Sequence, residues 1–331
     1  MTTIAIRAAR LTQFGNPADS IAVESLELPP PGPGEVRVRM SAAPINPADI
    51  NIIEGKYGEL PALPATIGNE GSGVVECIGD GVAALSPGDH VVVLQRGSWA
   101  AALNAPAANL FRVPTDTDPL QAAMMGVNPP TALLMLESFA RLSPGDWVVQ
   151  NAANSGVGRS VIQIAKSMGL HTLNVVRRAE LKPDLRALGA DVVVTEECDL
   201  RADGRALCGG ARPRLALNAV GGASALNLAN VLAPGGTLVT YGAMSKQPLK
   251  IPNALLIFKD LAFCGFWLTR WKAESDAIAR GEVFSRLAGL VASGGLQLAV
   301  HAVHPLENLS AALAEAAEGS RNGKVLLDLR G

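Results

Sequence analysis

The sequence predicts an α/β protein in which a β-rich segment precedes a doubly wound parallel sheet. In residues 128–270, short apolar runs alternate with stretches of helical periodicity, which is the pattern of a parallel sheet covered on both faces. Residues 1–127 contain short apolar runs separated by Pro-Gly pairs, which is typical of β-structure with tight turns. A chain of 331 residues with 48% hydrophobic residues is long enough for two domains.

The individual elements follow from these patterns. In the first segment, strands are predicted at 36–40, 73–78 and 90–94. In the second, the predicted strands are 147–150, 172–176, 191–195, 215–220, 236–241 and 261–266, with helices between them. Residues 271–290 are predicted to form a helix, the alanine-rich stretch 311–317 another, and residues 324–329 a last strand.

Composition limits the class of partner. The net charge of −2 argues against a nucleic-acid partner or an anionic membrane surface. No apolar stretch reaches transmembrane length, and the N-terminus shows neither a signal-peptide core nor a visible transit peptide. We therefore expect a soluble cytoplasmic protein, although a processed chain of the mitochondrial matrix would look the same.

A strand, a glycine-containing turn and a helix can be recognised in residues 146–170. An apolar run at 147–150 precedes the turn, and apolar residues recur at helical spacing from Val161. This order is that of a Rossmann-type βαβ unit, which places a pyrophosphate at the helix N-terminus. The predicted phosphate-binding residues are Asn154, Ser155, Gly156 and Val157.

The glycine pattern departs from the common G-x-G-x-x-G fingerprint. Ala153 and Ser155 stand at the first two glycine positions, whereas Gly156 and Gly158 are retained. The Ser155 hydroxyl can donate a hydrogen bond to a phosphate oxygen, which a glycine cannot. The alternative is a glycine-rich turn in an α/β protein that binds no nucleotide.

Two arginines end the second predicted strand of this unit. Arg177 lies 19 residues after Gly158, where NAD-preferring sites usually carry a carboxylate for the ribose 2′-hydroxyl, and Arg178 is next. Guanidinium groups suit a 2′-phosphate, so the predicted cofactor is NADPH. The alternative is a pair of solvated surface arginines.

Several motifs together resemble one family. They include 45–51 (INPADIN), 55–58 (GKYG), 68–71 (GNEG), 127–132 (VNPPTA), 150–158 (QNAANSGVG), 174–177 (NVVR), 239–242 (VTYG) and 265–271 (GFWLTRW). The chain thereby resembles the mitochondrial-type 2-enoyl thioester reductases of the medium-chain dehydrogenase/reductase superfamily. The resemblance implies a GroES-like catalytic domain at 1–127, completed by about 299–331, and a Rossmann-type NADP-binding domain at 128–298.

The resemblance also implies the chemistry. NADPH would reduce a trans-2-enoyl thioester of coenzyme A or acyl-carrier protein to the saturated thioester, in fatty acid synthesis. Tyr57 matches the catalytic tyrosine, and a phenol is protonated at neutral pH and can donate to a developing enolate oxygen. Trp267 is the second predicted catalytic residue. The alternatives are a packed loop tyrosine and an aromatic residue of the core.

Further cofactor contacts are implied by the same resemblance. They are Asn128, Tyr241, Gly242, Ala243, Met244, Phe266, Trp267, Leu268, Thr269 and Lys324.

No metal is expected. Zinc-dependent members of the superfamily carry a cysteine in the first domain and a histidine in a Gly-His-Glu motif. Here Asn46 stands near the first position and Asn69 occupies the second. The four histidines have no partners at metal-binding spacing, and the four cysteines form no C-x-x-C pair.

Two other functions stay open at this point. A zinc-free NADPH quinone oxidoreductase would share the fold and the cofactor, and a non-catalytic NADPH-binding protein would retain the turn. A homodimer is expected from the resemblance only. The residues do not distinguish coenzyme A from a carrier protein as the carrier of the acyl group.

Overall fold

The computed structural model describes residues 2–319 and 321–330, which form two compact units. Unit 1 takes the described residues of Met1–Val127, Ala277–Ala292 and Gln297–Gly331, and unit 2 takes Asn128–Asp276 and Ser293–Leu296. Residues 1 and 331, the ends of the predicted catalytic domain, lie outside the described residues.

Most of unit 1 is built from antiparallel strands. Its N-terminal part contains β1 (Ile4–Leu11), α1 (Pro17–Ser20), β2 (Ile21–Leu28), β3 (Glu35–Pro44), α2 (Pro47–Ile53), β4 (Ala65–Thr66), β5 (Gly71–Ile78), β6 (His90–Val93), β7 (Ala102–Pro106), β8 (Leu110–Arg112) and α3 (Pro119–Ala123), with a 3₁₀ turn at Ala107–Asn109. β1 lies between β2 and β4 in a small sheet.

Unit 2 alternates helices with strands. Its elements are α4 (Asn128–Ser138), β9 (Trp147–Gln150), α5 (Gly156–Ser167), β10 (His171–Val176), a 3₁₀ turn (Ala179–Leu181), α6 (Lys182–Ala187), β11 (Val192–Thr195), α7 (Leu200–Leu207), β12 (Leu215–Asn218), α8 (Gly222–Val231), β13 (Thr237–Thr240), α9 (Asn253–Ile257), β14 (Ala262–Gly265) and α10 (Leu268–Glu274). The strands pair in parallel in the order β11-β10-β9-β12-β13-β14. The predicted doubly wound sheet is confirmed.

The chain then returns to unit 1. α11 (Ala277–Ala292), β15 (Val300–Pro305), a 3₁₀ turn (Leu306–Asn308), α12 (Leu309–Ala317) and β16 (Lys324–Asp328) complete it. The larger sheet has the order β15-β16-β3-β5-β6-β8, with β7 also paired to β3. The predicted last strand and the alanine-rich helix are therefore both present.

The region 271–290 is where the structure contradicts the predicted elements. The sequence predicts one helix, but α10 ends at Glu274 and α11 begins at Ala277. The break arises because Ser275 has extended backbone angles, φ −81° and ψ 146°, which cannot continue a helix. Along the described parts of the chain, no helix has the length and apolar content required to span a bilayer.

The two units have separate apolar cores. In unit 1, buried residues of β3, β6 and β16, including Val38, Val91 and Leu327, pack with α12. In unit 2, Leu173 and Val149 from neighbouring strands pack against Leu228 of α8. The short, almost continuous apolar runs of the unit 2 strands fit this burial, because a parallel sheet is covered on both faces.

α11 lies in unit 1, although the sequence analysis includes residues 277–292 in the cofactor domain. Phe284 is fully buried, and its ring centroid lies 5.7 Å from that of Phe111 in β8. This aromatic contact gives a physical reason for grouping the helix with unit 1. The functional domain limits themselves stay a prediction.

We expect Phe284→Ala to lower the free energy of unfolding by about 3–5 kcal/mol, because it removes a buried ring and leaves a cavity. Urea denaturation followed by circular dichroism would measure the change. Ser285→Ala, at an exposed position of the same helix, is the matched control and should be nearly neutral. Equal effects of the two substitutions would mean that α11 is not anchored by Phe284.

Candidate functional site

The turn between β9 and α5 is built around a close approach of two backbone segments. A Cβ atom on Gly158 would lie 2.6 Å from the Ala153 oxygen and 2.7 Å from the Ala152 oxygen, so only glycine fits. Ser155 is the N-cap of α5, and its Oγ accepts a hydrogen bond from the Gly158 amide at 3.1 Å. The Ser155 hydroxyl retains its own hydrogen for donation.

This turn can hold a phosphate. The first amides of a helix lack intrahelical partners, and the helix dipole favours an anion at that end. Asn154, Ser155 and Gly156 are half-buried, whereas Val157 is buried under the turn. The predicted phosphate-binding residues therefore lie together at the carboxyl end of β9.

A group of buried amide side chains fixes the turn, and the sequence analysis missed it. Gln150 Nε2 donates to the Gly158 oxygen at 2.9 Å and to Asn174 Oδ1 at 2.8 Å. Asn174 Nδ2 in turn donates to the Val192 oxygen at 3.0 Å. These bonds join the phosphate turn to β10 and β11. The sequence feature that could have revealed this group is Gln150, a polar residue at the end of the otherwise apolar strand β9.

A second set of amides acts on the other side of β9. Asn151 Nδ2 donates to Asn218 Oδ1 at 2.9 Å and to Ser224 Oγ at 3.0 Å. Asn218 Nδ2 donates to Thr240 Oγ1 at 3.1 Å, and its Oδ1 accepts from the Gly221 amide at 3.0 Å. Asn218, the last residue of β12, thus links the residue after β9 to the start of α8 and to the end of β13 at the same edge of the sheet.

A cavity of about 450 Å³ opens at this edge. It is lined in part by Val175 of β10, by Glu196 and Asp199 after β11, and by Ser224 of α8. Arg177 is exposed and Arg178 half-buried just beyond the end of β10. Arg178 Nε lies 3.5 Å from Glu180. Both arginines follow the strand that contributes Val175 to the cavity, and the carboxyl end of such a strand is where a parallel sheet of this type can accept the adenosine end of a dinucleotide.

The remaining predicted cofactor residues of unit 2 follow β13 and β14. Burial raises the pKa of Tyr241, and the Ser155 hydroxyl lowers it in part, so these two predicted residues lie close together. Gly242 is half-buried, whereas Ala243 and Met244 are exposed.

The segment after β14 combines buried and exposed groups. Phe266 packs edge-to-face on Phe139, with the ring centroids 6.0 Å apart, and Leu268 is buried. Trp267 is 40% exposed and Thr269 is half-buried. The exposure of Trp267 argues against the alternative of an aromatic core residue. Asn128, also predicted for the cofactor, is buried at the first residue of α4.

In unit 1, Tyr57 is held on the short loop after α2. Gly55 has a φ of +72°, and a Cβ atom there would lie 3.0 Å from the Phe14 side chain. The Lys56 amide donates to the Asn51 oxygen at 2.8 Å, which closes the turn. The Tyr57 side chain is half-buried and packs on the edge of the unit 1 core. A phenol in this position can donate to a bound oxyanion.

A buried polar cluster contains Asn46 and Asn69, the residues for which the resemblance implies positions near or at the zinc ligands of zinc-dependent members. Asn46 Nδ2 donates to Glu70 Oε1 at 2.8 Å, and the Asn46 amide donates to Asp49 Oδ2 at 2.7 Å. Asn69 Nδ2 donates to Asp49 Oδ1 at 2.6 Å. The Lys324 ammonium donates to Asn46 Oδ1. Lys324 therefore bonds directly to Asn46, and Asn46 is linked to Asn69 through the Asp49 carboxylate.

The charges of this cluster are coupled. Burial raises the pKa of Asp49 to about 7, and Glu70 adds to the shift, while the Asn46 hydrogen bond and Lys324 oppose it. Burial lowers the pKa of Lys324 to about 8, against the attraction of Glu70 and Asp49.

A zinc ion does not fit this arrangement. Both asparagine amides are oriented by hydrogen bonds to carboxylates, and the ammonium supplies the positive charge that a cation would bring. Within residues 2–319 and 321–330, no group of three or more His, Cys, Asp or Glu side chains is arranged to bind a metal.

Comparison with known proteins agrees with the two-part organisation. Residues 32–115 match the family model described as the alcohol dehydrogenase GroES-like domain, and residues 156–282 match the model described as zinc-binding dehydrogenase. The second description concerns the wider family, since the residues described above do not provide zinc ligands.

Individual relatives identify the branch of this wider family to which the chain is similar. The mitochondrial enoyl-acyl-carrier-protein reductase of Xenopus tropicalis is 44% identical over 322 residues, which cover 94% of this chain and 92% of the relative. A solved complex of Etr1p with NADP and crotonyl-CoA has a TM-score of 0.87 at 30% identity, covering 98% of this chain and all of that one. A structure described as a putative NADPH:quinone reductase from Bacillus thuringiensis has a TM-score of 0.91 at 28% identity, covering 98% and 99%. The chain belongs to the mitochondrial-type enoyl-acyl-carrier-protein reductases of the medium-chain dehydrogenase/reductase superfamily.

Proposed function

We propose that this protein is an NADPH-dependent reductase of trans-2-enoyl thioesters that acts in fatty acid synthesis. The observation that carries the proposal is the 44% identity to an enoyl-acyl-carrier-protein reductase over 94% of the chain. The solved complex of Etr1p with NADP and crotonyl-CoA supports the choice of cofactor and substrate class. The acyl group is carried by coenzyme A or by an acyl-carrier protein.

The proposed chemistry assigns a separate task to each part of the chain. NADPH, when bound, supplies a hydride to Cβ of the enoyl group. Tyr57 donates a hydrogen bond to the thioester oxygen, where negative charge develops, and so stabilises the transition state more than the substrate. A proton taken up from solvent at Cα completes the saturated product and leaves NADP⁺. Trp267, exposed after β14, is proposed to border the reacting acyl group.

The cofactor is proposed to bind with its pyrophosphate on the turn at 154–157 and its 2′-phosphate against Arg177 and Arg178. The close backbone approach at Gly158, and the position of both arginines directly after the strand that contributes Val175 to the cavity, support this orientation. The assignments of Asn128, the residues after β13 and β14, and Lys324 to the cofactor stay predictions.

A quinone reductase remains the second candidate, because the Bacillus thuringiensis structure has the same fold at a TM-score of 0.91. Fold likeness does not decide between the two activities. Steady-state assays with crotonyl-CoA and a quinone, each with NADPH and with NADH, distinguish them. Turnover of the quinone alone would replace the enoyl reductase, and turnover of neither would favour a non-catalytic NADPH-binding protein.

We also propose a homodimer. Within the described residues, β14 is paired on one side only, with β13, so its other edge is available for a second copy. Ile257 and Phe258, just before this strand, are 70% and 85% exposed. Light scattering on the purified protein gives the mass, and a monomer would contradict the proposal.

The compartment stays a prediction, cytoplasm or mitochondrial matrix, and the names of the relatives support the second.

The first functional prediction concerns cofactor choice. Replacing both Arg177 and Arg178 with alanine should raise KM for NADPH and leave NADH kinetics nearly unchanged. Two charge-assisted hydrogen bonds to the 2′-phosphate, each about 1.5–3 kcal/mol, would be lost. Arg141→Ala, at an exposed position on the amino side of β9, is the control. A wild-type protein that uses both coenzymes equally well would rule out the assignment.

The second concerns Tyr57. Tyr57→Phe should lower kcat for crotonyl-CoA about a hundred- to a thousandfold, because one donor to the developing oxyanion is lost. KM and the affinity for NADPH should change much less, since the interaction strengthens only as charge develops. Steady-state kinetics give kcat and KM, and a melting curve on the same sample gives the stability of the fold. Near-normal turnover with a lowered melting temperature would instead identify a structural tyrosine.

A further inference from the structure

The guanidinium group of Arg96 lies over the ring of Tyr57. Arg96 belongs to the connection between β6 and β7, whereas Tyr57 follows α2, so the contact joins two loops of unit 1. The guanidinium carbon is 6.0 Å from the ring centroid. This distance is at the outer limit of an attractive cation–π contact, in which the cation also fixes the face that the ring presents.

The charge of Arg96 is only partly neutralised. Its Nη2 atom is buried and lies 3.6 Å from Glu59 Oε2, which is beyond hydrogen-bond distance. The Arg96 side chain is 30% exposed, whereas that of Glu59 is 60% exposed. Water therefore screens the carboxylate more than the guanidinium, and the positive charge acts on the ring from a partly desolvated position.

We propose that Arg96 is a positioning residue for Tyr57, which orients the phenol and stabilises the negative charge that forms as its hydroxyl donates. The inference rests on the proposed role of Tyr57. During reduction, electron density moves towards the thioester oxygen and, through the hydrogen bond, onto the phenol. A nearby guanidinium lowers the energy of that charge distribution more than the energy of the neutral ground state.

This role makes the effect of Arg96 depend on the Tyr57 hydroxyl. A cation that only packs on the ring would act equally on tyrosine and on phenylalanine, because both have the same π face. A cation that supports donation loses its effect when the hydroxyl is absent. A double-mutant cycle separates the two cases.

The test uses the full chain carrying Arg96→Leu, Tyr57→Phe or both substitutions. With saturating NADPH, kcat and KM for crotonyl-CoA are measured for each, together with the melting temperature. Arg96→Leu alone should lower kcat about three- to tenfold with little change in KM. Added to Tyr57→Phe, the same substitution should change kcat less than twofold. Arg96→Lys should restore most of the turnover, because it restores the charge.

A matched control is available in the same unit. Arg112 is an arginine whose Nη1 lies 3.9 Å from Asp89 and whose side chain is 63% exposed. Arg112→Leu should leave kcat unchanged in both backgrounds. If Arg96→Leu does not fold, Arg96→Gln removes the charge and keeps a polar side chain for the same cycle.

Three outcomes would overturn the inference. An equal fall in kcat with and without the Tyr57 hydroxyl would show that Arg96 acts independently of it. A lowered melting temperature with unchanged kcat would identify a packing arginine. Wild-type turnover in Tyr57→Phe would remove the proposed role of Tyr57 and this inference with it, whereas a large Tyr57→Phe effect with an additive Arg96 effect overturns this inference alone.

Discussion

Buried amide side chains hold together the carboxyl edge of the parallel sheet, and the nucleotide-binding features of unit 2 depend on them. Gln150, Asn151, Asn174 and Asn218 are all fully buried, and each bonds to a neighbouring strand or turn. A buried amide that loses its partner costs about 1–3 kcal/mol, whereas a satisfied one contributes about 1 kcal/mol. The network is therefore stable only when the strand ends and the turns occupy their observed places.

The same requirement explains the geometry of the phosphate turn. Gly158 must pass close to the Ala152 and Ala153 carbonyls, and the Gln150 side chain donates a hydrogen bond to the Gly158 carbonyl. The Ser155 cap then sets the first turn of α5. Because the amides proposed to bind the pyrophosphate belong to this hydrogen-bonded segment, we expect little ordering when an anion binds.

Unit 1 differs from unit 2 in that its buried polar cluster contains ionisable side chains. Two carboxylates, Asp49 and Glu70, are fully buried beside Asn69 and Asn46. The Lys324 ammonium supplies a positive charge beside them, and the neutral amides of Asn46 and Asn69 donate hydrogen bonds to the two carboxylates. A buried charge is tolerated only when it is paired and hydrogen-bonded, so the loss of metal ligands and the presence of Lys324 belong to one arrangement. The proposed activation of the substrate carbonyl by Tyr57 needs no metal at this cluster.

Local sequence determined the elements whose causes are local. The apolar run at 147–150, the Ser155 cap and the glycine at 158 specify a strand, a helix start and a tight turn through neighbouring residues alone. Tertiary structure decided the rest. The Lys324–Asn46 contact joins residues 278 positions apart, and the approach of Arg96 to Tyr57 joins two separate loops. The interruption between α10 and α11 coincides with the passage of the chain from one compact unit to the other, which helical periodicity does not reveal. Sequence patterns report which backbone states are locally favourable, whereas pairing of buried charges and amides depends on which distant segments the fold brings within hydrogen-bond distance.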